Sequence, residues 1–364
     1  MKVLKELVSP IAPGPSRLPV PVAPLKTAAQ ALLPALTAIL LAFAVAALPI
    51  AISGKNPLLA YWALLRGAVG SPAAVAFALN KSTPYFLAGV GVALCFRAKV
   101  INIGSEGQIA VGGIASAWTA LQLPQLPAFL MVPAALVSAA AAGAALAGVA
   151  ALIRLKRGVH EVLGTLMLNF VGTLLVSEIL HGPMGEVGAG FPQSPLLPQS
   201  AWLPALFPGL NLHAGIVLAI LVAVGGHLLL WHTPFGFRLR LVGSSSTAAA
   251  YAGVSLGRCL LQVMALAGAL AGIAGGIEVL GVHYRLMQGF SQGYGFNAVA
   301  IALLAGLNPI AVLPAGLFFG FLEAGALAMQ REIGVPSSLV YVIQGLTIIF
   351  VLCAMGIGAG KRRV

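Results

Sequence analysis

The chain has 364 residues, 60% of them hydrophobic and 8% charged, with a mean hydropathy of +1.01. A soluble domain carries about 25% charged residues, so this composition excludes a water-covered surface and indicates a polytopic membrane protein. The formal net charge is +12, from 20 Lys and Arg against eight acidic groups, all of them Glu; the basic residues stand at the ends of apolar runs, where membrane topology places them, so no nucleic-acid partner is implied.

The first 28 residues hold four basic groups, six Pro and one Glu. No short apolar core with a small-residue cleavage site precedes the first long run, so a cleaved signal peptide is not expected, and residues 1–28 are assigned to the cytoplasm. A membrane domain is expected over residues 29–356, with residues 357–364 as a basic cytoplasmic tail. Ten apolar runs follow one another at about 29–51, 83–96, 103–121, 127–152, 162–180, 213–231, 259–280, 294–306, 310–328 and 338–356. A span needs about 20 residues, so 83–96 and 294–306 either extend into their flanks or are broken helices. Residues 57–78, with Tyr61, Trp62 and Arg66 before Gly-Ser-Pro at 70–72, read as an interfacial helix and a turn.

Residues 100–113 read VINIGSEGQIAVGG and set Glu106 between Asn102 and Gln108 inside an apolar context. A charge facing lipid costs several kcal/mol, so Glu106 must face protein or a water-filled cavity. Two readings stay open. Glu106 locks the break by bonding backbone N–H groups, Arg97 or Lys99, or it lines a solute path with Asn102 and Gln108. The loop at 181–212, rich in Pro and Gly, is expected outside as an ordered cover with little regular structure. The loop 231–258 is expected inside, with a short helix over Ser246–Ala252 announced by Ser-Ser-Ser-Thr as an N-cap.

Residues 288–309, QGFSQGYGFNAVAIALLAGLNP, are the second place where Gly and polar residues interrupt a membrane run. This is the pattern of a discontinuous helix near a substrate path. Tyr294, Phe296 and Asn297 are its candidate path residues. Glu278 and Glu323 are expected at outer span ends, exposed to solvent or headgroups. The polar groups near the breaks are mainly Asn, Gln, Ser and Tyr, and ionisable groups are expected to be few in the interior, which suits a neutral solute.

Alternating ten spans from a cytoplasmic N-terminus leaves Lys55, Arg66, Lys81, Arg285 and Arg331 outside and the other fifteen of the 20 Lys and Arg inside. That asymmetry supports the orientation, with both termini cytoplasmic. Cys95, Cys259 and Cys353 lie in or beside apolar runs, as packed free thiols do.

No enzyme motif is present. GIGAGKRR at the C-terminus fails as a phosphate loop because Met355 stands where the first Gly must be. The absence of Asp argues against Asp-based metal or phosphoryl chemistry. Neither a metal site nor a cofactor is expected.

Four stretches in order carry a resemblance. Phe96–Gln108, FRAKVINIGSEGQ, resembles the signature segment of permeases from bacterial ATP-driven importers of sugars, nucleosides and branched-chain amino acids. Gly158–Phe170, Leu241–Leu256 and Gly295–Pro309 resemble, in turn, a central helix start, the cytoplasmic coupling segment and the late glycine-rich segment of the same group. Two positions depart from the pattern: Ser244-Ser245 replace a charged or amide pair, and His160 replaces an Asn.

The resemblance implies an all-α fold of the type II importer kind, with an early helix outside two pseudo-symmetric helix groups. It implies a coupling helix that includes Ser244, Ser245, Ala249, Ala250, Tyr251 and Gly253. It also implies a second permease, cytoplasmic ATPase subunits and an extracytoplasmic substrate-binding lipoprotein as partners in the cytoplasmic membrane. ATP hydrolysis is expected on the separate subunit. The N-terminal length is most like the larger permease of nucleoside importers, so a nucleoside is the expected cargo. A simple sugar is the first alternative and ion-coupled secondary transport the second.

Overall fold

A computed structural model describes residues 25–360, apart from positions 208 and 337. The N-terminal stretch through residue 24 and the basic residues Lys361, Arg362 and Arg363 lie outside the described residues.

Each of the ten apolar runs coincides with a helix. The order begins α1 (Leu25–Ile52), α2 (Pro57–Val69), α3 (Pro72–Arg97), α4 (Ser105–Gln122), α5 (Ala128–Arg157) and α6 (Glu161–His181). A 3-10 turn at Gln199–Ala201 and a two-stranded hairpin, β1 (Ala205–Phe207) and β2 (Leu210–His213), are the regular parts of the next loop. Then come α7 (Gly215–His232), α8 (Pro234–Ser244), α9 (Ser246–Tyr251), α10 (Leu256–Glu278), a π-helical turn over Val279–His283, α11 (Tyr294–Leu304), α12 (Val312–Ile333) and α13 (Ser338–Gly360). Among the described residues five helices are long and apolar enough to cross a membrane, α5, α6, α7, α10 and α12, and α1 with α2 passes as a pair bent by 117°.

The two short runs part ways. Run 83–96 extends backward through Asn-Lys-Ser-Thr-Pro to become the 26-residue α3, with Pro84 inside it. Run 294–306 stays short: α11 has 11 residues, about 16 Å at 1.5 Å per residue. It is half a span. The turn at Gly70–Ser71 is present, with Ser71 capping α3, but α2 packs along α12, where the backbone of Leu64 leaves no room for a Cβ at Gly325.

Two helix groups repeat one arrangement. In the first, α3 is followed by α4, α5 and α6; in the second, α10 is followed by α11, α12 and α13. The groups interlock: α3 packs on α11 and α12, α10 packs on α4 and α5, and α3 and α10 pack on each other. Lipid offers little hydrophobic drive between helices, so close backbone approach must supply the packing. A Cβ at Gly112 would collide with the Gly272 backbone, and one at Gly143 with the Gly268 carbonyl.

Helix α6 shows the inversion that lipid imposes. Glu161, Thr165, Asn169 and Gly172 face inward, while Leu163, Met167, Phe170 and Leu174 are exposed. The polar stripe is inside and the apolar stripe outside. Cys95 and Cys259 are buried free thiols, whereas Cys353 is exposed, against expectation.

Candidate functional site

The segment before α4 and the segment before α11 meet head to head. Gly295 lies so close to the Ser105–Glu106 backbone that no Cβ fits there. The Glu106 carboxylate accepts three bonds from the opposite segment. Ser291 Oγ donates to Oε1 at 2.6 Å, Gly293 N donates to Oε1 at 3.1 Å and Gly295 N donates to Oε2 at 2.7 Å. Gly293 has φ +82°, a left-handed turn that aims these N–H groups at one point. An anion at a helix N-terminus is favoured by the free N–H groups and by the helix dipole.

The expected backbone partners of Glu106 are therefore present, but on the other helix group. Arg97 is not a partner: its Nε donates to the Leu307 carbonyl at 3.0 Å. Nor is Lys99, for which no bond to Glu106 occurs among the described residues. Glu106 is buried where the two segments meet.

Asn102 and Gln108 satisfy each other. Asn102 Nδ2 donates to Gln108 Oε1 at 3.3 Å, Gln108 Nε2 donates to Asn102 Oδ1 at 3.2 Å, and Gly104 N also donates to Asn102 Oδ1 at 2.9 Å. Both side chains are buried. From α6, Asn169 Oδ1 accepts from Gly107 N at 2.8 Å and Asn169 Nδ2 donates to the Ile103 carbonyl at 2.8 Å. The start of α4 is thus closed from within its own group.

A second polar network joins α3, α10, α11 and α12. Lys81 Nζ donates to Tyr294 OH at 2.8 Å and to Gln292 Oε1 at 2.9 Å, and lies 3.5 Å from Glu323 Oε1. Tyr294 OH donates to Glu278 Oε1 at 3.2 Å. Tyr85 OH donates to Glu323 Oε2 at 2.7 Å and accepts from Asn297 Nδ2 at 3.1 Å. The Tyr85 and Tyr294 rings meet edge to face at 5.1 Å.

This network overturns three expectations. Glu278 is 1% exposed and the Glu323 side chain 12%, so neither is a solvent or headgroup carboxylate. Lys81 is buried in α3 and is not an outside loop cation. The interior therefore holds an ammonium and two carboxylates: Lys81 pairs with Glu323, and Glu278 lies 3.5 Å from His283 Nε2 and accepts from Tyr294, because an unpaired buried charge is far too costly. The signal in the sequence was Asn80-Lys81-Ser82-Thr83 directly before a run too short to span alone.

Of the residues expected on the path, Tyr294 is buried in this network, whereas Phe296 and Asn297 line an open cavity of about 390 Å³. Gln292, Gly293, Tyr341 and Gln344 complete most of its wall. Tyr341 and Gln344 lie on α13, a helix from which the sequence alone drew no site residue.

The expected coupling helix forms as α9, Ser246–Tyr251, one residue short of the expected end, with Ser245 Oγ accepting from Ala248 N at 3.2 Å. A second helix, α8, precedes it and ends at Ser244. Ala249 is fully buried, so it faces the chain itself, while Ser244, Ser245, Ala250, Gly253 and Tyr251 are exposed, the last by 90%. A groove of about 470 Å³ opens beside them between α8 and α10. His160 caps α6: its Nδ1 accepts from Val162 N at 3.4 Å.

Comparison with known proteins places this architecture. A family model described as branched-chain amino acid transport system / permease component matches residues 74–352. The glucose ABC transporter permease protein TsgB13 of Haloferax volcanii is 36% identical over 329 residues, 88% of this chain and 86% of that one. The guanosine ABC transporter permease protein NupP of Bacillus subtilis is 35% identical, over 90% of this chain and 94% of its own length. The nucleoside ABC transporter permease protein NupB of Lactococcus lactis is 31% identical, over 87% and 89%.

Proposed function

Because the chain belongs to the branched-chain amino acid transport system permease family, we propose that it is the membrane subunit of an ATP-driven importer and carries nucleosides by alternating access. ATP hydrolysis resides on separate cytoplasmic subunits, which act on this chain through α9. A different permease chain completes the path, and a substrate-binding lipoprotein delivers the solute from outside. Both termini lie in the cytoplasm.

The observation that carries the reading is the cavity beside the start of α11. Phe296 and Tyr341 offer exposed rings, and the amide residues Asn297 and Gln344 stand in the wall, Gln344 buried. Flat rings beside carboxamides suit an uncharged planar base, whose faces stack and whose edge hydrogen-bonds. Glu106, Asn102, Gln108 and Tyr294 frame this path and hold the short helices around it.

Glucose is the second reading, favoured by the relative from Haloferax volcanii; sugars also stack on aromatic rings. Uptake into proteoliposomes containing the complete importer separates the two. ATP-dependent accumulation of radiolabelled guanosine or uridine is expected. Accumulation of glucose with neither nucleoside would overturn the nucleoside reading.

A further inference from the structure

The two helix groups each set a buried amide against a helix start, Asn169 at α4 and Gln344 at α11, and among the described residues only the first amide is satisfied. In the first group both ends of the Asn169 carboxamide are bonded to backbone around the start of α4. In the second group Gln344 of α13 lies beside the start of α11, where it lines a cavity with Gln292, Gly293, Phe296 and Asn297. Gln344 is 2% exposed, yet among the described residues neither its Oε1 nor its Nε2 has a hydrogen-bond partner. The side-chain bond formed nearby on the same helix, Thr347 Oγ1 to the Ile343 carbonyl, leaves it untouched.

A buried amide left unpaired is destabilising, and cores of native proteins contain few. An apolar residue at position 344 would suit the fold better. Gln344 also lines a second cavity of about 330 Å³, which shares Gln292 and Tyr341 with the first. Each cavity by itself falls in the size range of small-molecule sites, roughly 300–1,000 Å³, and the Phe296 and Tyr341 rings line the first.

We propose that Gln344 is a substrate-reading residue that hydrogen-bonds the edge of a nucleobase as the solute passes the start of α11. A carboxamide presents one acceptor and one donor group side by side. Its complement is an edge with an N–H beside a carbonyl, which guanine and uracil both carry and a hexose does not. The Phe296 and Tyr341 rings then hold the base by its faces. The assignment rests on the nucleoside reading above and names the residue that discriminates within it.

The test uses the complete importer in proteoliposomes, with radiolabelled guanosine, uridine and glucose as probes. Gln344→Met removes the amide at nearly constant length; Gln344→Glu keeps the shape and removes the donor. Both are expected to raise the KM for guanosine about tenfold, the loss of one well-made bond at 1.4 kcal/mol per decade. Gln344→Met is also expected to melt no lower than the parent without substrate, because it removes an unpaired group. A parent importer that carries glucose and neither nucleoside defeats the nucleoside reading and this assignment together. A parent that carries guanosine while both variants keep its KM defeats the assignment alone. So does a Gln344→Met chain that melts lower, or one that fails to retain the second permease in a pull-down, since either makes residue 344 a packing or interface group.

Discussion

The start of α4 and the start of α11 face each other, yet they are held by different means. The first is closed from within its own helix group, by the neutral Asn102 on Gly104, Thr165 on Ile103 and Asn169 on Gly107, with Glu161 on Ile101 further out. The second is held by a carboxylate from the opposite group, Glu106, on Ser291, Gly293 and Gly295. Neutral amides suffice where the bonds stay within one packed unit. Where two units must be joined, one ionised acceptor gathers several donors and each bond is stronger. The difference also leaves the second start unsealed on its α13 side, where the cavity lies. One group is a closed frame, and the other is framed from outside and borders a cavity.

The sharpest way to break this comparison is through Lys81, which ties α3 of the closed group to α11 and α12 of the open one. Lys81→Met strands Glu323 without its cation, and is expected to cost about 4 kcal/mol, the range for removing one partner of a buried ion pair. Thermal unfolding in detergent reads it. Adding Glu323→Gln should recover part of the loss, and independent effects would show that the two residues do not act as a pair.

Glu106→Gln comes next. It keeps the shape but places an N–H where an acceptor is needed, at an expected cost of about 3 kcal/mol. Folded yield should fall at least as much as uptake per folded molecule. Normal yield with abolished uptake would make Glu106 a path residue and not the lock between groups.

Asn169→Leu should cost about 2 kcal/mol, because two buried backbone groups lose their partner. Set beside a neutral or stabilising Gln344→Met, it measures the asymmetry of the two starts directly. Equal losses at the two positions would erase the comparison.

The smallest effect on stability is expected at α9, which packs on α8 and on α10 of the open group. Ala250→Trp and Tyr251→Ala change exposed positions, so each should shift stability by less than about 0.5 kcal/mol. Both should still lower substrate-stimulated ATP hydrolysis by the assembled complex. Full stimulation with full ATPase association would move the coupling role elsewhere, with Arg154–His160 as the next cytoplasmic stretch.

The sequence by itself determined the class of the protein and its helix pattern. Ten apolar runs became helices because lipid requires every backbone group to be bonded within its own segment. The glycine-broken stretches 100–113 and 288–309 were legible for the same reason: polar and Gly residues inside such runs have to mark breaks. The cap of α9 followed from Ser245, a purely local signal. Only the tertiary structure decided which residues share a site. Glu106 and Gly295 are 189 positions apart, and Lys81 and Glu323 belong to different helix groups, so neither pairing leaves a mark on local composition. The isolated reading of Glu278 and Glu323 as exposed carboxylates failed for that reason. A buried charge declares itself through its partner, and the partner is supplied by the fold. Gln344 is the limiting case: one amide in an apolar run looks incidental until the packing shows that every neighbour has left it unpaired.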